Sequence, residues 1–382
     1  MTNNLLLPEA PFTNPRVATR RARSAERPAF PGPVQLGALL TSLLLIGCAG
    51  PGPASPAAGG RGSDASAKAI LMKEFIYQEA PFPSTHASTI VDTPKGLVAA
   101  WFGGTAEGNR DVGIWVARRE GDRWTPPTEV AQGVEPGDST RHPCWNPVLF
   151  QAPNGPLVLF YKVGPNPREW WGMRITSDDS GISWSSPERL PEGILGPVRN
   201  KPVLLRDGTL LCGSSTEHAG WRLHMERTPD AGVHWSRTPP LNDRRDSGLI
   251  QPTLLAWPSG RVQILCRSQQ GVIYESWMGD SFEIWSKPSP IDLPNPNSGI
   301  DGVVLRDGRA LLVYNHTRRG RSPLNLAISQ DGRTWTPSVV LEDESGEYSY
   351  PAVIQSADGR IHITYTWKRQ LIRHVVVDSS RL

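Results

Sequence analysis

Six polar side chains recur once per segment of this chain, each at the start of an apolar run: His86, Asn146, Lys201, Gln251, Asp301 and Tyr350. Each stands seven to ten residues before a glycine that separates two apolar runs, and four of them directly precede a proline. A second set follows the next apolar run: Trp101 with Glu107 beyond it, Tyr161-Lys162, Glu217, Arg267, His316 with Arg318, and Trp367-Lys368-Arg369. Arg141, His142 and Arg199 lie just ahead of the first set. If the apolar runs are strands around one axis, these groups converge on one mouth rich in cations. Guanidinium forks grip carboxylates in a planar, bidentate manner, histidines move protons near neutral pH, and tryptophan faces suit sugar rings. The chemistry expected is recognition of an acidic glycan. Two histidines at one mouth, His86 and His142, raise the case for catalysis.

Elements must position these groups, and a period supplies them. Turn glycines fall at Gly96, Gly155, Gly208, Gly260, Gly308 and Gly359, in steps of 59, 53, 52, 48 and 51 residues. Asp-Gly and Asn-Gly between apolar runs mark tight hairpins, because both residue types tolerate positive φ. Tryptophans share the period at Trp124, Trp184, Trp235, Trp285 and Trp335. Three of them close a box: Ser177-x-Asp179-x-Gly181-x-Ser183-Trp184, Thr228-x-Asp230-x-Gly232-x-His234-Trp235, and the shorter Ser329-x-Asp331-Gly332-x-Thr334-Trp335. Units of about fifty residues hold four short strands that cannot bury both faces alone, so six of them close into a ring. The expectation is an all-β chain, a six-bladed β-propeller over residues 70–382.

The box resembles the Asp-box of sialidase-type propellers, where the aspartate caps a turn and the tryptophan packs between blades. A wider resemblance, to the BNR-repeat branch of the sialidase superfamily, rests on five stretches: Phe102-Gly103-Gly104-Thr105-Ala106-Glu107-Gly108, Asn295-Pro296-Asn297-Ser298-Gly299-Ile300-Asp301-Gly302, Tyr314-Asn315-His316, Glu347-Tyr348-Ser349-Tyr350-Pro351, and Ile363-Thr364-Tyr365-Thr366-Trp367. It implies Tyr350 as nucleophile and Arg267 and Arg318 as the second and third arginines on a substrate carboxylate. The pattern departs elsewhere. Thr85-His86-Ala87-Ser88 stands where the first arginine belongs, Gln251 where the glutamate assisting the tyrosine belongs, and only Glu107 and Asp111 follow where the acid is expected. The nominal reaction is exo-sialidase-like hydrolysis. Arg199, Lys201, Gln251, Asp301 and His316 complete the expected binding set, and His86, His142, Glu107 and Tyr350 the catalytic one. Neighbouring branches cleave rhamnosyl-glucuronate linkages, some by elimination, for which Arg267 or Arg199 with His86, His142 and Tyr350 supply a clamp, a base and an acid. A glycan-binding propeller without catalysis is the third reading.

Charge excludes other partners. The 382 residues carry 40 basic and 37 acidic groups, but Arg16, Arg20, Arg21, Arg23 and Arg27 offset only Glu9 and Glu26 in residues 1–47, so the remainder balances at 35 of each. A neutral body argues against nucleic acid. Cys144, Cys212 and Cys266 show no CxxC spacing and sit among apolar residues, so no metal, cofactor or disulfide is expected. A monomer is anticipated. Residues 1–47 have signal-peptide proportions: arginines, then the apolar run from Leu36 to Ile46, too short to span a bilayer. That run leads to Leu45-Ile46-Gly47-Cys48, which resembles a bacterial lipoprotein box; residues 48–69 then read as a flexible Gly/Pro/Ala/Ser tether. The protein is expected to be exported across the cytoplasmic membrane and held at the cell envelope only through a lipid on Cys48. Replacing Cys48 with Ser should release the protein or leave the precursor uncut. Fractionation that finds the variant processed and membrane-bound as before would refute the lipid anchor.

Overall fold

Tight turns set the architecture. At five of the six expected hairpins the glycine takes a positive φ (83° at Gly208), and at the remaining one Asn154 does so instead (55°), with Gly155 following. These turns join the inner two strands of six antiparallel sheets in a computed structural model that describes residues 68–382 apart from 135, 136, 138, 231, 244 and 246. The innermost strands are Ser84–Thr93, Cys144–Gln151, Val203–Leu204, Leu249–Ala256, Asp301–Val304 and Tyr348–Gln355. Each is followed by a returning strand: Gly96–Gly104, Leu157–Val163, Leu210–Thr216, Val262–Ser268, Ala310–Tyr314 and Ile361–Trp367. The starts of the inner strands and the ends of the returning strands therefore share one face of a six-bladed propeller. The signal segment, Cys48 and nearly all of the tether lie outside the described residues.

Blades one to five are built from consecutive strands, with the outer edge of the first divided between Arg123–Trp124 and Thr128–Ala131. The sixth is composite. Its outermost strand is Ile70–Phe75, which pairs antiparallel with Leu371–Val377 and so fastens the beginning of the ring to its end. Glu74 on that strand accepts hydrogen bonds from Trp124 Nε1 at 2.9 Å and lies 2.9 Å from Nδ1 of His374, with Arg119 3.3 Å away. Burial works to raise the Glu74 carboxyl pKa, but His374, Trp124 and Arg119 together hold it below its ordinary value. The core lies between blades, in clusters such as Val98, Leu149, Leu157 and Ile175.

The boxes act as turn locks. Asp179 accepts hydrogen bonds from the backbone N–H groups of Ile182 and Ser183 at 3.0 and 2.9 Å, and Asp230 from those of Val233 and His234 at 3.2 and 2.8 Å. Asp331 receives Arg333 and Thr334 N–H groups, both at 2.8 Å. Hydrogen bonds to Ser183 and His234 hold the Asp179 and Asp230 carboxyls below their ordinary pKa. Each boxed tryptophan packs against the preceding blade, Trp235 meeting Phe160 edge-on at 6.2 Å, yet all three rings are only half-buried. Trp285, which has lost the box, keeps its Nε1–H on a carbonyl three residues back at 2.8 Å, as Trp235 does at 3.0 Å. Trp235→Ala should cost about 2 kcal/mol in denaturant unfolding, below the roughly 3 to 5 of a fully buried aromatic. A loss under 0.5 kcal/mol would show that the ring does not hold the blades together.

Candidate active site

The inner strands do not run straight into the channel. Register breaks fall between His86 and Thr89, Trp145 and Val148, Ile250 and Thr253, and Ser349 and Ala352, at the same place in four blades. At each break one residue takes positive φ: Ala87 (56°), Asn146 (42°), Gln251 (56°) and Tyr350 (52°). Such bulges re-aim side chains, and a non-glycine residue held at positive φ costs on the order of 1 to 3 kcal/mol. The following proline, present after Asn146, Gln251 and Tyr350, has no N–H to lose from the broken ladder.

Tyr350 occupies the centre. Arg267 donates from one guanidinium nitrogen to the phenol oxygen at 2.6 Å and from the same nitrogen to Oε1 of Gln251 at 3.2 Å. Asn297 holds that arginine in place, its side-chain oxygen accepting from Nε at 2.9 Å and its carbonyl from the other nitrogen. A Cβ on Gly299 would lie 3.1 Å from the Tyr350 ring, so one stretch, 295–299, both clamps the arginine and leaves room for the phenol. Three guanidinium carbons stand near the ring centroid: Arg199 at 5.2 Å, Arg267 at 5.5 Å and Arg321 at 5.5 Å. His86 packs against the same ring with centroids 4.0 Å apart, its Nδ1 3.0 Å from the Thr366 hydroxyl and its buried Nε2 without a partner. Burial, reinforced by Arg369, Arg321, Arg199 and Arg267, drives the His86 pKa well below its ordinary value, so the imidazole is neutral.

Carboxylates border this cluster. Glu347 receives Arg321 and Arg369, each at 2.7 Å, and Arg369 also pairs with Glu107 at 2.5 Å. Burial raises the Glu347 pKa, but the two arginines and Ser349 outweigh it and keep the group a carboxylate. Glu217, at the end of the second strand of blade three, differs. Burial pushes its pKa up, and the opposing pull of Arg267, Trp221 and Arg168 does not cancel the rise.

Several expected residues sit elsewhere. Arg318 is exposed beside Gly271 at the rim, and after the turn at Gly320 it is Arg321 that reaches Tyr350. Arg199 is only 1% exposed and donates to the carbonyls of Ser88 and Pro351, so it ties blades one, three and six beneath the phenol instead of facing a ligand. Lys201 and Asp301 pair at 2.8 Å, and Asp301 also accepts from Thr253 at 2.7 Å and from Val353 N–H at 2.8 Å; this is a peg across blades three to six. His142 packs edge-on against Trp171 at 5.4 Å on the rim of blade two, and His316 is exposed, its Nδ1 bonded to the Tyr314 hydroxyl. Of the expected set, Tyr350, Arg267, Gln251 and His86 are brought together, with Glu107 one arginine away. Reading the sequence missed Arg321, and it named Glu217, Asn297 and Glu347 without giving them a role. The run Arg318-Arg319-Gly320-Arg321 was the available signal for the first, since only the glycine turn selects among its three arginines. Among the described residues no group of three His, Cys, Asp or Glu side chains could hold a metal ion.

A family model described as a BNR repeat-like domain matches residues 95–363. No curated protein matches. Solved structures of the same fold include a protein of unknown function from Dyadobacter fermentans (TM-score 0.69, 16% identity, covering 81% of this chain and 98% of that one). Another is the Hadza microbial sialidase Hz136 (0.69, 17%, 81% and 69%). A third is the intramolecular trans-sialidase of Ruminococcus gnavus, solved with oseltamivir carboxylate (0.65, 13%, 84% and 99%). The geometry separates the neighbouring arginines by test: Arg321→Ala should weaken binding of a carboxylate-bearing sugar at least about tenfold, and Arg318→Ala less than twofold. Titration calorimetry giving equal losses for both would contradict the assignment.

Proposed function

The chain belongs to the BNR repeat-like domain family, and on that premise we propose that it is a carbohydrate-active enzyme cleaving a terminal glycosidic bond at an acidic sugar, in the manner of an exo-sialidase. One observation carries the reading: the phenol oxygen of Tyr350 lies 2.6 Å from the Arg267 guanidinium, with Arg321 beside the same ring. The arginines hold the substrate carboxylate, and Tyr350 attacks the neighbouring anomeric carbon. A neutral nucleophile suits a carbon that bears a carboxylate, which would repel an anionic one. As the bond from the phenol oxygen to the anomeric carbon forms, the phenol proton passes to the neutral His86 imidazole, which packs on the ring and has an unpartnered Nε2, while Arg267 stabilises the charge developing on the oxygen; water then releases the sugar from Tyr350 and His86 returns the proton. The leaving oxygen needs a proton donor. Glu217, whose burial favours the protonated form, fits that task better than Glu107, whose Oε2 already accepts from Arg369. Relatives described as sialidases support the substrate class. The enzyme acts outside the cytoplasmic membrane, as the lipoprotein-like Cys48 motif suggests.

A second reading has its own observation. Gln251 replaces the carboxylate that would draw the proton from Tyr350, while His86 is neutral, touches the phenol ring and keeps an unpartnered Nε2. A neutral imidazole beside an arginine clamp is equipped to remove the proton next to a uronate carboxylate, while the Tyr350 hydroxyl protonates the departing glycosidic oxygen. Incubation with sialosides and with rhamnosyl-glucuronides separates the two. Hydrolysis gives a product heavier by one water, and elimination gives an unsaturated uronate that absorbs in the ultraviolet. Tyr350→Phe should fold and bind as before, with turnover reduced about a hundredfold or more. Near-native turnover in this variant would exclude the phenol. Binding without turnover in the parent would leave a glycan-binding propeller.

A further inference from the structure

On the face that carries Tyr350, two clefts open beside the cluster of Tyr350 and Arg267 at the rims of blades two and three. Their volumes are about 280 and 460 Å³, and they share Thr216, His218 and Arg237, so they form one furrow. Together they reach the size range of sites that hold several-ring ligands. One loop links the furrow to the Tyr350 cluster. Glu217 lies between Thr216 and His218 and feels both Arg267, on the pocket side, and Arg168, on the furrow side. Arg267 also stands 5.3 Å from the ring of Trp221, which follows the same loop. On the other wall Trp145, next to Asn146, meets Trp170 edge-on at 6.1 Å.

The lining has the chemistry of an acidic-sugar path. Arg168, Arg189 and Arg237 interleave with Trp170 and Trp171, against the carboxylates of Glu169 and Glu192; the far cleft adds Arg222 and His224 to the shared His218. Arg189 lies 4.7 Å over the Trp171 ring, which joins a guanidinium and an aromatic surface in one wall. The furrow is also built. Buried Glu226 accepts hydrogen bonds from Gly196 N–H at 2.6 Å and Leu195 N–H at 3.1 Å and lies 2.8 Å from Nε2 of His224. Arg237 donates to the Gly193 carbonyl at 2.8 Å, so the furrow wall is tied to blade three at Gly193 as well as at Leu195 and Gly196.

We propose that this furrow binds the leaving-group side of the substrate, and that the substrate is therefore the end of an oligosaccharide bearing further negative charges beyond the bond that is cut. The inference rests on the reading of the central pocket as the place of cleavage. Glu217, the proton donor in that reading, then stands where the chain leaves the pocket and enters the furrow.

The experiment uses the Tyr350→Phe protein, so that ligands persist, and measures affinity by calorimetry for sialic acid oligomers and oligouronides of one to four units. Affinity should rise about tenfold or more from one unit to four in whichever series binds. Arg189→Gln and, separately, Arg168→Gln should remove most of that gain while changing single-unit binding less than twofold. A flat dependence on length, an equal loss for short and long ligands, or no binding of any oligomer would overturn the furrow. Failure of the central reading shows differently: Arg267→Lys would then bind a single unit as well as the parent does, with the length dependence intact.

Discussion

The pairing of Ile70–Phe75 with Leu371–Val377 is the constraint on which the remaining geometry rests. An open row of six blades would leave one face of the first and one face of the last uncovered; fastening the first strand to the last blade packs those faces together, Ile90 and Leu97 against Ala352, and fixes the circumference. Only at that circumference do the six inner strands approach closely enough for Arg199 of blade three to reach carbonyls in blades one and six. Glu74 adds an electrostatic clasp to the same seam, with partners from blade one and blade six.

The closed ring permits an otherwise costly cluster. Four arginines act on His86, and three of them crowd one phenol ring, in surroundings with little water. Like charges repel strongly there unless each is tied to oxygen. Arg199 has backbone carbonyls, Arg267 has Asn297 and Gln251, and Arg321 and Arg369 share Glu347. The bound carboxylate of an acidic sugar would complete this charge balance, a preorganised arrangement that asks for little rearrangement on binding.

Division of labour follows from depth. Lower in the channel, the Lys201–Asp301 peg stitches blades together; at the level of Tyr350, bulges turn side chains toward the axis; at the rim, loops of blades two and three widen the mouth into a furrow. Residues of the same chemical type thus serve different ends. Arg199 and Arg267 differ in their partners: one ends on main-chain carbonyls, and the other ends on a phenol.

Periodicity fixed the propeller in advance, because turn glycines, boxed aspartates and tryptophans are local devices whose hydrogen bonds span at most a few residues, as those of Asp179, Asp230 and Asp331 do. The same period brought Tyr350, Arg267, Gln251 and His86 to one mouth, since strand starts and strand ends alternate faces by count alone. Counting could not distinguish Arg318 from Arg321, which are three residues apart on one connection, because the turn at Gly320 decides which guanidinium faces inward. Nor could it tell that Arg199, Lys201 and Asp301 would be consumed by contacts 48 to 152 residues away in sequence. The pairing of Glu347 with two arginines and the raised pKa of Glu217 depend on burial and on charges from other segments. Such properties exist only once the ring has closed, because desolvation and charge proximity belong to the packed chain and not to any stretch of it.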